Sequence, residues 1–158
     1  MRVDSPIGRL ELTADAEHIL SLTIERDGHL PFETEPERLS PLLERARDQL
    51  GEYFAGTRRE FDLPVRYATG TPFQHSVWDR LAALRFGEVT SYGELGREIG
   101  KPGSGRAVGG AVGANPLPLL VGCHRVLAAN RRITGYSAGE GVPTKVWLLT
   151  HEGIPHAV

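Results

Sequence analysis

The chain has 158 residues, of which 40% are hydrophobic, 24% charged and 7% aromatic. That length suits one ordinary domain or two small ones, and the composition excludes general disorder. No apolar run approaches the ~20 residues a membrane span needs, and the single cysteine, Cys123, excludes a disulfide framework or a multi-cysteine metal site.

The net charge of −2 argues against a polyanionic partner until it is divided along the chain. Residues 1–68 carry 9 Lys and Arg against 14 Asp and Glu, whereas residues 69–158 carry 9 against 6. From Ile99 through Gly139 there is no acidic residue, while Lys101, Arg106, Arg125, Arg131 and Arg132 are basic. A local positive field attracts a polyanion whatever the distant net charge is. The same asymmetry also arises by chance, so charge alone leaves the partner open.

The opening Pro6-Ile7-Gly8 is a turn, and Arg9–Thr13 alternates polar and apolar residues as a strand. Ile19–Ile24 is a second strand that ends in a hairpin-type turn at Asp27-Gly28. Leu39, Leu42, Leu43, Ala46, Leu50 and Phe54 then recur at helical spacing. Ser40-Pro41 supplies the cap and first-turn proline, and Gly56 the stop. Phe61–Val65 reads as one more strand, confined to a sheet edge by Pro64. These elements make a small α+β unit over residues 1–68, with a linker at Tyr67–Thr71.

In residues 69–158 the elements are mostly helical. Thr71-Pro72-Phe73-Gln74 has the form of a capping box, and Phe73, Val77, Leu81 and Leu84 mark one face of a helix ending near Gly87. A second box, Ser91-Tyr92-Gly93-Glu94, opens a short helix to Gly100. Lys101-Pro102-Gly103 turns the chain, and Ser104 is placed to cap a third helix to about Ala114. Two short helices about a tight turn suggest a helix-turn-helix, although an ordinary helical hairpin has the same pattern. Three glycines in the third helix, Gly109, Gly110 and Gly113, each cost ~1 kcal/mol relative to Ala. Their presence implies a backbone lying close to another helix or a DNA groove, with Arg106 as the one long side chain.

Chemistry concentrates at Gly122-Cys123-His124-Arg125. A lone cysteine is either a small buried hydrophobe or a nucleophile, and composition does not separate the two. His124 and Arg125 are expected to favour the thiolate if they lie beside it. Tyr92, Tyr136 and Glu152 are the remaining candidates, Glu152 as a carboxylate that orients His124.

Gly122–Val126 resembles the Pro-Cys-His-Arg-Val signature of the O6-alkylguanine-DNA alkyltransferases. Phe86–Leu95, Arg106–Gly109, Asn115-Pro116, Gly135-Tyr136, Lys145 and Trp147–Gly153 follow in that family's order, covering most of residues 71–153. The Asp4–Gly8 opening is similar to its ribonuclease-H-like N-terminal domain. The resemblance implies an α+β fold: a small ribonuclease-H-like sheet-plus-helix domain over 1–68, then a mostly helical DNA-binding and alkyl-acceptor domain over 69–158 with a helix-turn-helix. It implies irreversible, single-turnover transfer of an alkyl group from O6 of a flipped-out guanine in duplex DNA to Cys123, with no cofactor and no metal.

By the same resemblance His124 would take the thiol proton through a water, Glu152 would hold the imidazole, and Asn115 would brace the turn behind the site. Tyr92 would crowd the target phosphate and reach guanine N3. Ser91, Tyr92, Arg106, Ala107 and Gly110 would meet DNA, with Arg106 filling the gap left by the flipped base. The Val126 carbonyl, Tyr136 and Ser137 would line the pocket. A monomer located in the cytoplasm, on the nucleoid if bacterial, is expected.

Three departures stand out. Gly122 replaces the family's proline and is expected to loosen or shift Cys123, Ala138 stands where glycine is usual, and Ala138–Thr144 is a residue or two long. Gly122 keeps open an alternative, a catalytically impaired alkyltransferase-like protein that binds lesions without repairing them. A helix-turn-helix regulator and a cysteine hydrolase are the other readings. The former would need more base-reading side chains than Arg106, and the latter would show turnover.

Overall fold

Alternation builds the first half of the molecule, and the computed structural model describes it together with the rest of residues 1–158. Strands β1 (Arg2–Val3), β2 (Leu10–Ala14) and β3 (Ile19–Ile24) form an antiparallel sheet in the order β1-β2-β3, with an irregularity at Thr13/Ala14. Asp27 and Gly28 both take positive φ, 52° and 77°, while Arg26 and His29 close the turn with hydrogen bonds of 3.1 and 2.9 Å. This conformation matches the right-handed strand twist and explains the Asp-Gly pair.

Helix α1 (Pro41–Phe54) packs on β2 through Leu43, Ala46, Leu50 and Tyr53. Ser40 caps it, its hydroxyl accepting from the Leu43 N–H at 3.1 Å. Leu39 precedes the cap and is exposed, so it does not belong to the helical face its spacing suggests.

The strand expected at Phe61–Val65 does not form. Its backbone is satisfied elsewhere: the Gln49 side chain pairs with both the N–H and the carbonyl of Asp62, at 2.8 and 3.1 Å, and Arg45 donates to the same carbonyl. Only Val65 meets β3, as an isolated bridge to Ile19. Side chains of α1 thus take the place of a ladder, and Pro64 has no N–H to donate.

The second half comprises α2 (Pro72–Ala82), β4 (Thr90–Ser91), α3 (Tyr92–Glu98), α4 (Gly105–Gly113), β5 (Val126–Leu127) and α5 (Val142–His151). Thr71 and Gln74 form the complete capping box of α2. That helix ends at Ala82 rather than near Gly87. The Ala83 and Leu84 N–H groups tighten onto Arg80 and Leu81, and the freed Leu84 carbonyl accepts from Arg125 at 2.9 Å. Ser91 caps α3, but Glu94 receives the Thr90 hydroxyl instead of completing a box. Ser104 does not cap α4, because its hydroxyl donates to the Lys101 carbonyl at 2.5 Å.

Trp78 of α2 is buried and donates from Nε1 to the Ala111 carbonyl at 2.8 Å, fixing α4 across α2. One hydrophobic cluster runs from Met1 and the sheet through α1 and α2 to Cys123 and Leu148, so the two halves share a core. Their main-chain seam is the Leu22 N–H of β3 on the Pro116 carbonyl, at 3.0 Å. No helix is long and apolar enough to cross a membrane.

Candidate active site

Backbone pairing brings the reactive segment to the helices. β4 and β5 are parallel neighbours, Thr90 opposite Val126 and Ser91 opposite Leu127, so the end of the cysteine motif lies beside the start of α3. Cys123, His124 and Arg125 form a single 3₁₀ turn just before β5. Behind them the Asn115 side chain accepts from the Leu117 N–H and donates to the Val121 carbonyl, both at 2.9 Å, stapling the loop that delivers Cys123. The thiol is 4% exposed and lines a cleft of about 820 Å³ bounded by β3, α4 and the loop around Tyr136.

Glu152, just past α5, organises the interior beside the thiol. One carboxylate oxygen accepts from His124 Nε2 at 2.6 Å, the Tyr53 hydroxyl at 2.7 Å and Arg125 Nη2 at 3.0 Å. The other accepts from Arg125 Nε at 2.8 Å and the Gly87 N–H at 3.1 Å. Burial by itself would raise the Glu152 carboxyl, but the His124 and Arg125 hydrogen bonds and charges outweigh it and hold the group well below the usual range.

A carboxylate only accepts, so the proton of neutral His124 sits on Nε2 and leaves Nδ1 as the basic nitrogen. That atom is buried with no hydrogen-bond partner. Burial pushes the imidazole pKa down against the opposing pull of Glu152, which keeps it neutral and ready to accept.

The thiol does not behave as its sequence neighbours suggest. Burial pushes Cys123 up from its ordinary value, opposed by Tyr136, Asn115 and the Lys145 charge. Arg125, expected to favour the thiolate, instead spends its guanidinium on Glu152 and Leu84. Cys123 is therefore a protonated thiol at rest, and any nucleophilic use of it would need a base. The Tyr136 hydroxyl is 3.6 Å from Sγ. Lys145, pushed down to about 8 by burial, donates to the Val126 and Gly135 carbonyls at 2.6 and 3.3 Å.

The structure gathers Cys123, Asn115, Tyr136, Ser137, Tyr92 and Arg106 around one cleft. His124 and Glu152 lie buried behind it. Ser91 caps α3, and Ala107 and Gly110 are exposed on α4 beside Arg106. Val126 is wholly buried, lies outside the cleft lining and offers its carbonyl to Lys145. Of Gly109, Gly110 and Gly113 in α4, Gly113 has the close neighbour: an added Cβ would lie 2.9 Å from the Ser137 hydroxyl. Tyr53 and the anchoring role of Arg125 were not visible in sequence, since neither has a local partner that marks it.

Gly122 holds φ −73°, which proline also takes, and its N–H has no acceptor in the protein. The expected loosening of Cys123 is thus not written into the backbone. An added Cβ would lie 3.0–3.1 Å from the Arg125 side chain, a contact that a shift of a few tenths of an ångström relieves. Gly122→Pro should fold and change stability by less than about 1 kcal/mol, measured by chemical denaturation.

A buried thiol lining a cleft, a buried imidazole–carboxylate pair in neighbouring residues and an exposed glycine-rich helix along the same cleft describe an α+β protein with a thiol–imidazole–carboxylate site. Two sequence profiles give the family: "6-O-methylguanine DNA methyltransferase, ribonuclease-like domain" matches residues 2–67, and "6-O-methylguanine DNA methyltransferase, DNA binding domain" matches residues 72–154. The chain belongs to the 6-O-methylguanine DNA methyltransferase family.

A methylated-DNA–protein-cysteine methyltransferase of Mycobacterium tuberculosis is 41% identical over 150 residues, 95% of this chain and 89% of that protein. The Salmonella typhimurium relative is 48% identical over 106 residues, 67% of this chain, and the match spans 61% of that protein's length. The crystal structure of M. tuberculosis O6-methylguanine methyltransferase superposes with a TM-score of 0.84 at 40% identity, covering 96% of this chain and 90% of that one. The M. tuberculosis OGT structure in complex with DNA gives 0.85 at 40% identity, with 96% and 91% covered.

Proposed function

We propose that this chain repairs duplex DNA by direct reversal, moving the alkyl group from O6 of guanine to Cys123. The observation that carries this reading is the buried Cys123 thiol lining the cleft, with the unpartnered Nδ1 of His124 behind it and Nε2 held by Glu152.

The nucleotide leaves the stack to reach the thiol, at a cost of a few kcal/mol that is lower for a damaged, badly paired base. Arg106, Ala107 and Gly110 on the exposed face of α4, together with Ser91 and Tyr92, form the DNA-facing side, with α3 and α4 as a helix-turn-helix. Arg106 occupies the vacated space. His124 Nδ1 takes the Sγ proton through a water, and Glu152 stabilises the imidazolium that forms. Sγ attacks the alkyl carbon opposite O6: the S–C bond forms as the C–O6 bond breaks, and its electron pair stays on guanine.

The leaving base is an anion, so the Tyr92 hydroxyl near N3 stabilises charge where it develops. Guanine then takes a proton and returns to the stack. Tyr136 and Ser137 wall the pocket and Asn115 keeps the cysteine loop in place. The product thioether has no hydrolytic route back, so each molecule acts once, without cofactor or metal. Residues 69–158 carry the chemistry and residues 1–68 support it. The site of action is the cytoplasm, on the nucleoid if the source is bacterial.

Incubation with duplex DNA carrying one O6-methylguanine should add one methyl group per molecule, mapping to Cys123 and saturating at one equivalent. Intact-protein and peptide mass spectrometry read this directly. Lesion-selective binding with an unchanged mass would instead make the chain a lesion sensor, and the absence of both binding and transfer would overturn the reading.

A further inference from the structure

On the reading just given, the loop from Tyr136 to Gly141 is the wall against which the alkyl group lies. Its attachments come from the other end of the chain. Arg26, two residues past β3, donates from Nε to the Gly139 carbonyl at 2.6 Å and from Nη2 to the Ser137 carbonyl at 3.2 Å. The next residue, Asp27, donates its N–H to the Glu140 carboxylate at 2.7 Å. Three hydrogen bonds thus join one turn to one loop across more than 100 residues, and the two anchored carbonyls flank Ala138.

The anchor does not yield easily. Asp27 and Gly28 occupy the left-handed region inside a turn closed by Arg26 and His29, so the donors are presented by a short, strongly constrained hairpin. The loop also sits flush against β3. Gly139 has φ +54°, and a Cβ there would lie 2.9 Å from Ile24 Cγ2 and 2.7 Å from the Thr144 hydroxyl. From the other side the Glu140 N–H donates to that hydroxyl at 2.9 Å. The loop is therefore held between β3 and α5 while Tyr136 faces Cys123. Arg26 and residues Ser21–Ile24 line the same cleft as the thiol.

We propose that Arg26, with the Asp27–Glu140 bond, is a specificity clamp: through it the N-terminal sheet fixes the breadth of the alkyl pocket and favours small O6 substituents. A pocket that cannot widen excludes a bulky group while admitting a methyl. Each hydrogen bond lost shifts a closed–open equilibrium of the loop by about fivefold, and Arg26→Ala loses two. The bulky substrate uses the open form and the methyl group does not need it, so the two rates separate.

The test compares the full-length protein with Arg26→Ala and with the double variant Arg26→Ala/Glu140→Ala. Each is given duplexes containing O6-methylguanine or O6-benzylguanine, with transfer timed by intact mass and hydrogen exchange followed over residues 136–141. Release of the clamp should raise the benzyl-to-methyl rate ratio about 25-fold in the single variant and further in the double, with faster exchange in that loop. A ratio and exchange equal to wild type, in proteins that still accept methyl, would overturn the clamp and leave the repair reading standing. Wild-type protein that accepts no alkyl group would overturn the repair reading. In that case the exchange comparison alone decides whether Arg26 holds the loop.

Discussion

Cys123→Ala should gain no mass from duplex DNA carrying O6-methylguanine, yet bind that duplex as tightly as wild type. The two halves of this result have separate physical origins. Transfer needs an atom that can displace guanine from the alkyl carbon, and alanine has none. With the sole thiol of the chain removed, the rate should fall by at least ~10⁴-fold. On the proposed reading, binding is made by the exposed face of α4 and the start of α3, where Arg106, Ala107, Gly110 and Ser91 lie, and none of these residues bonds to the thiol.

The fold should also survive this change. Removing one sulfur from a site at the floor of an open cleft leaves little new cavity and costs about 1 kcal/mol. A mass-competent Cys123→Ala protein would place the chemistry elsewhere. Loss of lesion binding in Cys123→Ala, with the fold intact, would show that the thiol itself recognises the base.

Replacing Glu152 has the larger structural cost. Five donors converge on this buried carboxylate, two of them from one guanidinium that is itself buried. Glu152→Ala leaves Arg125 as an uncompensated internal charge and frees the Tyr53 hydroxyl, His124 Nε2 and the Gly87 N–H. Removal of one partner from such a set destabilises by about 3–5 kcal/mol. Transfer should fall as well, because nothing then fixes which ring nitrogen of His124 carries the proton. Urea denaturation and single-turnover rates measure the two effects separately.

The same carboxyl predicts an acid limb. Its folded pKa lies below its ordinary value of 4.5, so its contribution to stability is complete above that pH and is lost as pH falls. By pH 3 the loss from this group alone is about 2 kcal/mol, at ~1.4 kcal/mol per unit. Glu152→Gln, which keeps the volume and does not titrate, should lose that much less stability than wild type between pH 7 and pH 3. Equal acid sensitivity of the two proteins would mean that Glu152 is not held as the ionised partner of His124 and Arg125.

Local signals were read correctly where local contacts decide. The caps Ser40, Thr71 and Ser91 each bond a backbone N–H three residues on, and the Asp27-Gly28 turn is set by its own φ angles. The errors fall where a distant group intervened. Phe61–Val65 alternates adequately for a strand, but Gln49 and Arg45 took its backbone. The end of α2 moved because Arg125 claimed the Leu84 carbonyl. Ser104 is the local exception: its hydroxyl turned back to the Lys101 carbonyl three residues earlier instead of capping α4. Strands β1, β4 and β5 are two residues each, too short for any periodicity to show.

Residue order alone carried the reading as far as candidates. One cysteine beside a histidine, in a stretch without acidic residues, together with the ordered motifs from Phe86 to Gly153, led to the family and to Cys123, His124 and Glu152 as candidates. How those groups stand was settled by packing in three dimensions. It put Arg125 on the carboxylate rather than the thiol, brought Tyr53 from 99 residues away to the same oxygen, and set Arg26 against a loop more than 100 residues distant. The reason is the reach of the interactions. A cap or a turn is a bond between near neighbours and leaves a pattern in the chain, whereas the partner of a buried charge is whichever donor the packed core carries to within 3 Å of it.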